Sequence, residues 1–353
     1  MPAKITVAER ERLRAAFADP GEFATSPLYR ALCQVVATDD ALLELAGRGR
    51  PGQYPTFLFL GAVHQLLLEG TEHPLAGYFP SVTTDPAPAA EAGPALRDFC
   101  AVHEGRLAEL ISTRLVQTNQ VQRALGLRIG LATVAERTAQ PVHLIEVGTS
   151  AGLNLRFDRY GYHLGGRSYG DPGSPVQLRA ELHGTGKLPD LDALPALASV
   201  LGVDLAPVDL TDPAARAWLR ALIWPEHHDQ RALLTASLDL VAADPPAVLA
   251  GDAIDLLPGL ARTLPPGEPR VVYHSATRMH VPEARLAAFD AAIAALGETG
   301  PLWWLQVEDA PDPDPRPAPV LRHGAALRLR TPEGTAETLA VVEGHLRWVE
   351  TIS

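Results

Sequence analysis

The sequence predicts an α/β fold, a mostly parallel sheet whose last strand pair is antiparallel, preceded by an all-helical N-terminal domain. Three observations carry this. Up to about residue 136, apolar residues recur at three- and four-residue spacing, with Pro and Gly between the runs and no strand pattern among them. From His143 onward, short β-rich runs alternate with Ala/Leu-rich helical stretches, the signature of strands joined by crossover helices. The last two runs are separated only by the turn PEGT, so they are expected to pair antiparallel. The expected domains are 1–136, a helical cap over the site, and 137–353, the sheet.

In order, helices are expected over 7–17, 28–46, 57–69 and 96–135. Strands follow at 143–147, 199–204, 247–251, 270–275 and 302–308, then 325–330 and 338–342, with a further candidate run at 345–350. The helices between them are 214–221, 230–243, 254–262 and 282–296. Residues 160–182 (YGYHLGGRSYGDPGSPVQLRAEL) read as an inserted hairpin turning at Gly165-Gly166. Residues 311–319 (PDPDPRPAP) read as a stiff Pro-rich loop.

With 353 residues and 46% hydrophobic content, the chain has material for a sizeable core, which excludes disorder as the dominant state. A net charge of -12 repels phosphate backbones and argues against general nucleic-acid binding. The two cysteines, Cys33 and Cys100, form no CxxC pair, so a reducing cytoplasm fits best. The N-terminus lacks a signal peptide's apolar segment, and the longest apolar run, 57–68, is too short to span a bilayer. A cytoplasmic protein acting on a small molecule is expected, without membrane or nucleic-acid partners. Nothing in the sequence sets the oligomeric state. Neither HExxH nor any other His/carboxylate ligand spacing occurs, so no metal is expected.

The chemistry is concentrated in residues 143–155, HLIEVGTSAGLNL. A buried strand carries Glu146, a turn carries Gly148, Thr149, Ser150 and Gly152, and a helix is expected to start at Ser150 or Ala151. Gly148 allows a tight turn, and Gly152 is expected to let that helix approach a ligand. A dinucleotide site requires G-x-G-x-x-G. Here Ser150 takes the middle glycine's place, and an acid stands two residues before the first glycine. Such an acid suits a cationic, phosphate-free ligand.

The pattern resembles motif I of the class I S-adenosylmethionine-dependent methyltransferases, whose Rossmann-like sheet is mostly parallel with an antiparallel last pair. The resemblance implies S-adenosylmethionine as cofactor. It implies further that Asp204, ending the next strand, holds the ribose hydroxyls, and that Asp252-Ala253 meets the adenine. His274 and Ser275 end the fourth strand on the same crevice, and His274 is the candidate base, since histidine titrates near neutrality. From Gly152 to Asp204 is about fifty residues, against roughly twenty in a simple βαβ unit, and the inserted hairpin supplies the excess.

On the expected helix 96–135, Arg114 and Thr118 interrupt an apolar stripe formed by Cys100, Leu107, Leu110, Ile111, Val121 and Leu125. A buried guanidinium needs a carboxylate, either from the protein or from a substrate. The whole chain also resembles an uncharacterised bacterial family of unknown function. The matching stretches are HPLAGYFPS, TRLVQTNQV, IEVGTSAGLNL, YGDPGSPVQL, GVDLAPVDL, LIWPE and VVYHS. That resemblance implies that Arg114, Asn119, Asp171 and Ser174 belong to a shared, substrate-binding site.

The expected function is methyl transfer to an unidentified small molecule. The alternatives are a relative that binds adenosyl ligands or nucleotides without methylating them, and a serine hydrolase. The hydrolase would read GTSAG as a GxSxG elbow with Ser150 as nucleophile and Asp252 and His274 as partners.

Overall fold

The computed structural model describes residues 5–117, 119–309 and 324–352. They are divided into two compact units, one comprising residues up to 118 with 212–235, the other 119–211 with 236 onward.

The first unit is helical, with α1 (Val7–Ala18), α2 (Pro27–Ala37), α3 (Asp40–Ala46), α4 (Pro55–Leu68), α5 (Gly93–Val102) and α6 (Glu104–Thr113). The expected helix 28–46 is two helices. Asp39 breaks it by accepting the Ala41 and Leu42 amides, an N-cap that starts α3. The expected helix 96–135 is three. After α6, Arg114 turns extended (φ -77, ψ 156). Tertiary bonds then replace helical ones, as the Trp218 indole donates to Leu115 O (2.8 Å) and Val116 N donates to Gln53 Oε1 (2.7 Å). Phe17, Phe23, Leu32, Phe59, Phe99 and Trp218 form the unit's core. Glu226, from the stretch LIWPE, accepts Leu28 N and Ser26 Oγ, placing a carboxylate at the positive end of α2.

The second unit opens with the third piece of that helix, α7 (Ala124–Ala135), and continues with β1 (Val142–Val147). The boundary between the units therefore falls before α7, whereas the sequence places the domain boundary after it. The reason is that α7 packs on the sheet. A Cβ on Gly130 would lie 2.5 Å from Leu305 Cδ1, so only glycine permits that approach.

Next come β2 (Gly161–Leu164), β3 (Arg167–Gly170), β4 (Gln177–His183) and β5 (Leu197–Asp204). The chain then passes through the first unit, where α8 (Pro213–Ala221) forms and α9 (His228–Ala243) begins. It continues through β6 (Ala247–Ala250), α10 (Ala253–Thr263), β7 (Arg270–Ser275), α11 (Leu286–Ala295) and β8 (Leu302–Asp309), and ends with β9 (Gly324–Arg330), β10 (Ala336–Glu343) and β11 (Trp348–Thr351). The Pro-rich stretch 311–319 lies outside the described residues.

The described strands form an 11-stranded open sheet in the order β3-β2-β4-β11-β10-β9-β8-β7-β1-β5-β6. From β6 to β8 all neighbours are parallel, and β8, β9, β10 and β11 are antiparallel in succession. Segment 160–182 contains the expected hairpin, β2 with β3. It is no mere appendage, because β4 pairs in parallel with both β2 and β11 and carries the sheet onward. One face of the sheet is covered by α10 and α11, where Ile145, Val147, Val203 and Val272 meet Leu257, Phe289, Ile293 and Leu296.

The two sides of β1 differ. On one, the chain goes to β5 and then β6, and on the other it returns as β7 and β8. The strand order thus reverses between β1 and β7, and in open α/β sheets ligands bind outside the carboxyl ends of strands at such a point.

Candidate functional site

Two loops meet at this reversal, Gly148–Gly152 after β1 and Ser275–Thr277 after β7. Each contains a non-glycine residue in the left-handed region, Ser150 (φ 51) and Ala276 (φ 48). Backbone strain of this kind costs roughly 1–3 kcal/mol per residue and persists only where its surroundings over-determine it.

Those surroundings can be named. Gly148 (φ 74) faces the Thr277 side chain, and its amide donates to Val203 O (2.8 Å). Ser150 N donates to Asp204 Oδ2 (2.7 Å), while Ala206 N donates to Asp204 Oδ1 (2.8 Å). Asn119 Nδ2 donates to Ser150 Oγ (3.1 Å). On the other loop, Glu308 at the end of β8 accepts from Thr277 N (2.9 Å), Arg278 N (3.0 Å) and His274 Nδ1 (2.7 Å). Burial pushes the Glu308 carboxyl up, but these donors outweigh it and hold the group below the usual carboxylate range.

Glu146 is buried beneath the glycine turn. Its oxygens accept from Thr149 Oγ1 (2.7 Å) and Asn154 Nδ2 (2.8 Å). Burial pushes its carboxyl up to about 7, against the lowering effect of both donors, and the neighbouring Asp204 adds to the rise. Asn154 is held by this bond, yet its Oδ1 is buried without a hydrogen-bond partner. A buried acceptor left unmade costs about 1–3 kcal/mol, so a donor is wanted there.

The raised Glu146 value sets a pH dependence. The folded state keeps a proton that the unfolded chain, with its ordinary value of 4.5, gives up. This contribution is fully present below about pH 4.5 and is lost as pH rises towards 7. It amounts to roughly 3 kcal/mol. Glu146→Gln should flatten that part of the stability curve, and chemical denaturation of both proteins between pH 4.5 and 8 measures it. Parallel curves would show that Glu146 ionises in the folded protein as it does in the unfolded chain.

The structure therefore gathers Glu146, Gly148, Thr149, Ser150, Asn119 and Asp204, and several sequence expectations change. No α-helix follows the glycine turn. A 3-10 element, Asn154–Arg159, stands there, with Arg156 outside helical geometry. A Cβ on Gly152 would meet the Pro246 ring at 2.6 Å, so the space a side chain would fill there is taken by the protein itself. Asp252 is the N-cap of α10, accepting Ile254 N (2.9 Å), and pairs with Arg285 (2.8 Å), which together hold its carboxyl low despite partial burial. Ala253 is the buried first residue of that helix. Ser275 ends β7 half-buried, its carbonyl accepting Thr277 Oγ1.

His274 is not available as a base. The Trp304 indole can only donate, so its bond to His274 Nε2 (2.9 Å) makes that nitrogen an acceptor and puts the proton on Nδ1, which donates to Glu308. Both nitrogens are committed and the ring is fully buried. The Ser150, Asp252 and His274 triad accordingly does not assemble.

Among the expected substrate residues, Arg114 ends α6 in the first unit, half-buried, with Nη2 3.4 Å from Ala214 O. It interrupts no helical stripe, because the helix has already ended. Thr118 lies outside the described residues. Asp171 and Ser174 shape their own turn, Asp171 Oδ1 accepting Gly173 N (2.8 Å) and Ser174 Oγ accepting Val176 N (3.1 Å). The sequence reading missed Asn154, Ala276, Thr277 and Glu308. Only Glu308 carried a signal, as an acid ending a strand.

Fold and site together define an α/β protein with a largely parallel open sheet and two strained, acid-backed loops at its reversal point. Residues 11–351 match the family described as an uncharacterised protein conserved in bacteria, DUF2332, and the chain belongs to it. A search of curated proteins finds no match. Among the described residues no helix is long and apolar enough to cross a membrane, and no three His, Cys, Asp or Glu side chains gather as a metal would require.

Proposed function

We propose that the crevice holds an adenosyl ligand and that the protein transfers the methyl group of S-adenosylmethionine to a small-molecule acceptor. The observation that carries this reading is the buried Asn154 Oδ1 without a partner, set beside the Glu146 carboxyl beneath the glycine turn. An unfilled acceptor at that point suits a ligand that donates a hydrogen bond, such as an ammonium group, and disfavours phosphate. The missing helix N-terminus removes the usual pyrophosphate seat as well.

Asp204 would face the ribose hydroxyls, since each carboxylate oxygen keeps a second acceptor position after taking one amide. S-adenosylmethionine supplies a methyl group already activated on a sulfonium. The chain's residues have only to bind, orient and exclude water. The committed His274 favours a second reading, in which the site binds an adenosyl ligand without methylating.

Calorimetry against S-adenosylhomocysteine, S-adenosylmethionine, NAD and ATP tests the first step. The adenosyl thioether and sulfonium are expected to bind, and NAD and ATP are not. Micromolar NAD binding with no adenosyl signal would overturn the assignment. Asn154→Ala should weaken S-adenosylhomocysteine about tenfold, the loss of one hydrogen bond to a charged group. Incubation with methyl-labelled cofactor and a panel of small acceptors then separates transfer from binding alone.

A further inference from the structure

A second constellation lies at the opposite, amino-terminal ends of the same strands. His143, the second residue of β1, is buried, with Nδ1 2.7 Å from Ser199 Oγ and Nε2 2.6 Å from Glu268 Oε2. The Glu268 carboxylate can only accept, so Nε2 carries the proton. In the neutral imidazole Nδ1 is then unprotonated and accepts the Ser199 hydroxyl. Nucleophile, base and orienting acid thus stand in a single hydrogen-bonded line, the arrangement that activates a serine.

The backbone is built to produce this line. Val142 is in register with Leu197, but His143 is in register with Ser199, so β5 carries one extra residue, Ala198, at this point. Without that bulge Ala198 would stand opposite His143. Bulges of this kind re-aim side chains and are frequent beside active sites. The serine is also accessible. Ser199 and Ala198 are exposed, and β6 pairs with β5 only from Leu201 onward, leaving the outer edge open at Ser199. Glu268 is half-exposed.

We infer that Ser199, His143 and Glu268 form a nucleophilic relay that cleaves small, unhindered carboxylic esters at a site separate from the crevice. Ser199 Oγ bonds to the ester carbonyl carbon as its proton passes to His143 Nδ1. The carbon–oxygen bond to the alcohol breaks, and the alcohol leaves with that proton. Water, deprotonated by the same nitrogen, then attacks the acyl group, releasing the acid and returning the proton to Ser199. Glu268 fixes the tautomer throughout and stabilises the imidazolium while it exists.

The test is labelling of the full chain with an alkyl fluorophosphonate, which forms a phosphorus–oxygen bond to an activated serine with loss of fluoride, followed by mapping of the modified peptide. Modification at Ser199 is expected, slowed about 100-fold in His143→Gln, the size of a general-base contribution. Turnover of 4-nitrophenyl acetate should fall with it and vanish in Ser199→Ala. Glu268→Gln, at a half-exposed position, should also slow labelling and provides a second reading should His143→Gln not fold. Absence of label on Ser199, label on Ser150 alone, or equal rates in both variants and the parent protein would overturn the proposal. Adenosyl-ligand binding is measured separately and is expected to be unchanged in Ser199→Ala.

Discussion

Gly148→Ala is expected to destabilise the protein by about 2–5 kcal/mol and, on the proposed reading, to abolish S-adenosylhomocysteine binding. Two costs add. A left-handed backbone at φ 74 costs a non-glycine residue roughly 1–2 kcal/mol. The new methyl would also press on the Thr277 side chain, and overpacking of that kind costs about 1–3 kcal/mol. Thr277 cannot simply move away. Its amide is bound to Glu308, and its hydroxyl donates to Val147 O (3.2 Å), which ties the β7 loop to the end of β1. Urea denaturation of the parent, Gly148→Ala, Thr277→Ala and the double variant forms a thermodynamic cycle. The double variant should recover the clash and leave the backbone cost. If Gly148→Ala lies within 0.5 kcal/mol of the parent, a threshold at the level of ordinary surface substitutions, the two loops are not in contact.

The second large effect is at His274. As a catalytic base it could be replaced with little loss of stability. As a core group joining Trp304 to Glu308 it cannot. His274→Leu leaves the indole N–H without an acceptor and Glu308 with two of its three donors, inside the sheet's packed face. Breaking a buried, charge-bearing network by removing one member costs about 3–5 kcal/mol. The variant should melt far earlier than the parent. On the proposed reading S-adenosylhomocysteine should bind more weakly as well, because the loop bearing Ala276 is positioned through Glu308. A variant of parental stability that lost only turnover would restore the base.

The two predictions share a physical origin. The crevice is shaped less by groups that reach a ligand than by groups that hold two strained loops in place. Asp204, Glu308 and Thr149 spend hydrogen-bonding capacity on backbone or side-chain neighbours. Glu146 and Asn154 lie behind them with one acceptor still open.

Much of this architecture was legible in the chain. Apolar β-branched runs such as HLIEV and RVVYHS mark β1 and β7 because strand formation depends on side chains within a few residues of one another. The Gly165-Gly166 hairpin and the acid-bearing glycine turn are equally local, since positive φ is written into the glycines that need it. These strands and this turn therefore needed no tertiary information.

What remained hidden depends on partners far away in sequence. Nothing near residue 114 announces that the helix ends, because Trp218 and Gln53 take over its backbone groups. No local pattern pairs β4 with β11. His274 reads as a free strand-end histidine until Trp304 and Glu308 are folded onto it, and His143 reads as an ordinary strand residue until a bulge brings Ser199 alongside. Local propensity decides which segments become strands. Only the packed structure, where each buried donor must find an acceptor, decides which polar side chains are already committed and which are left for chemistry.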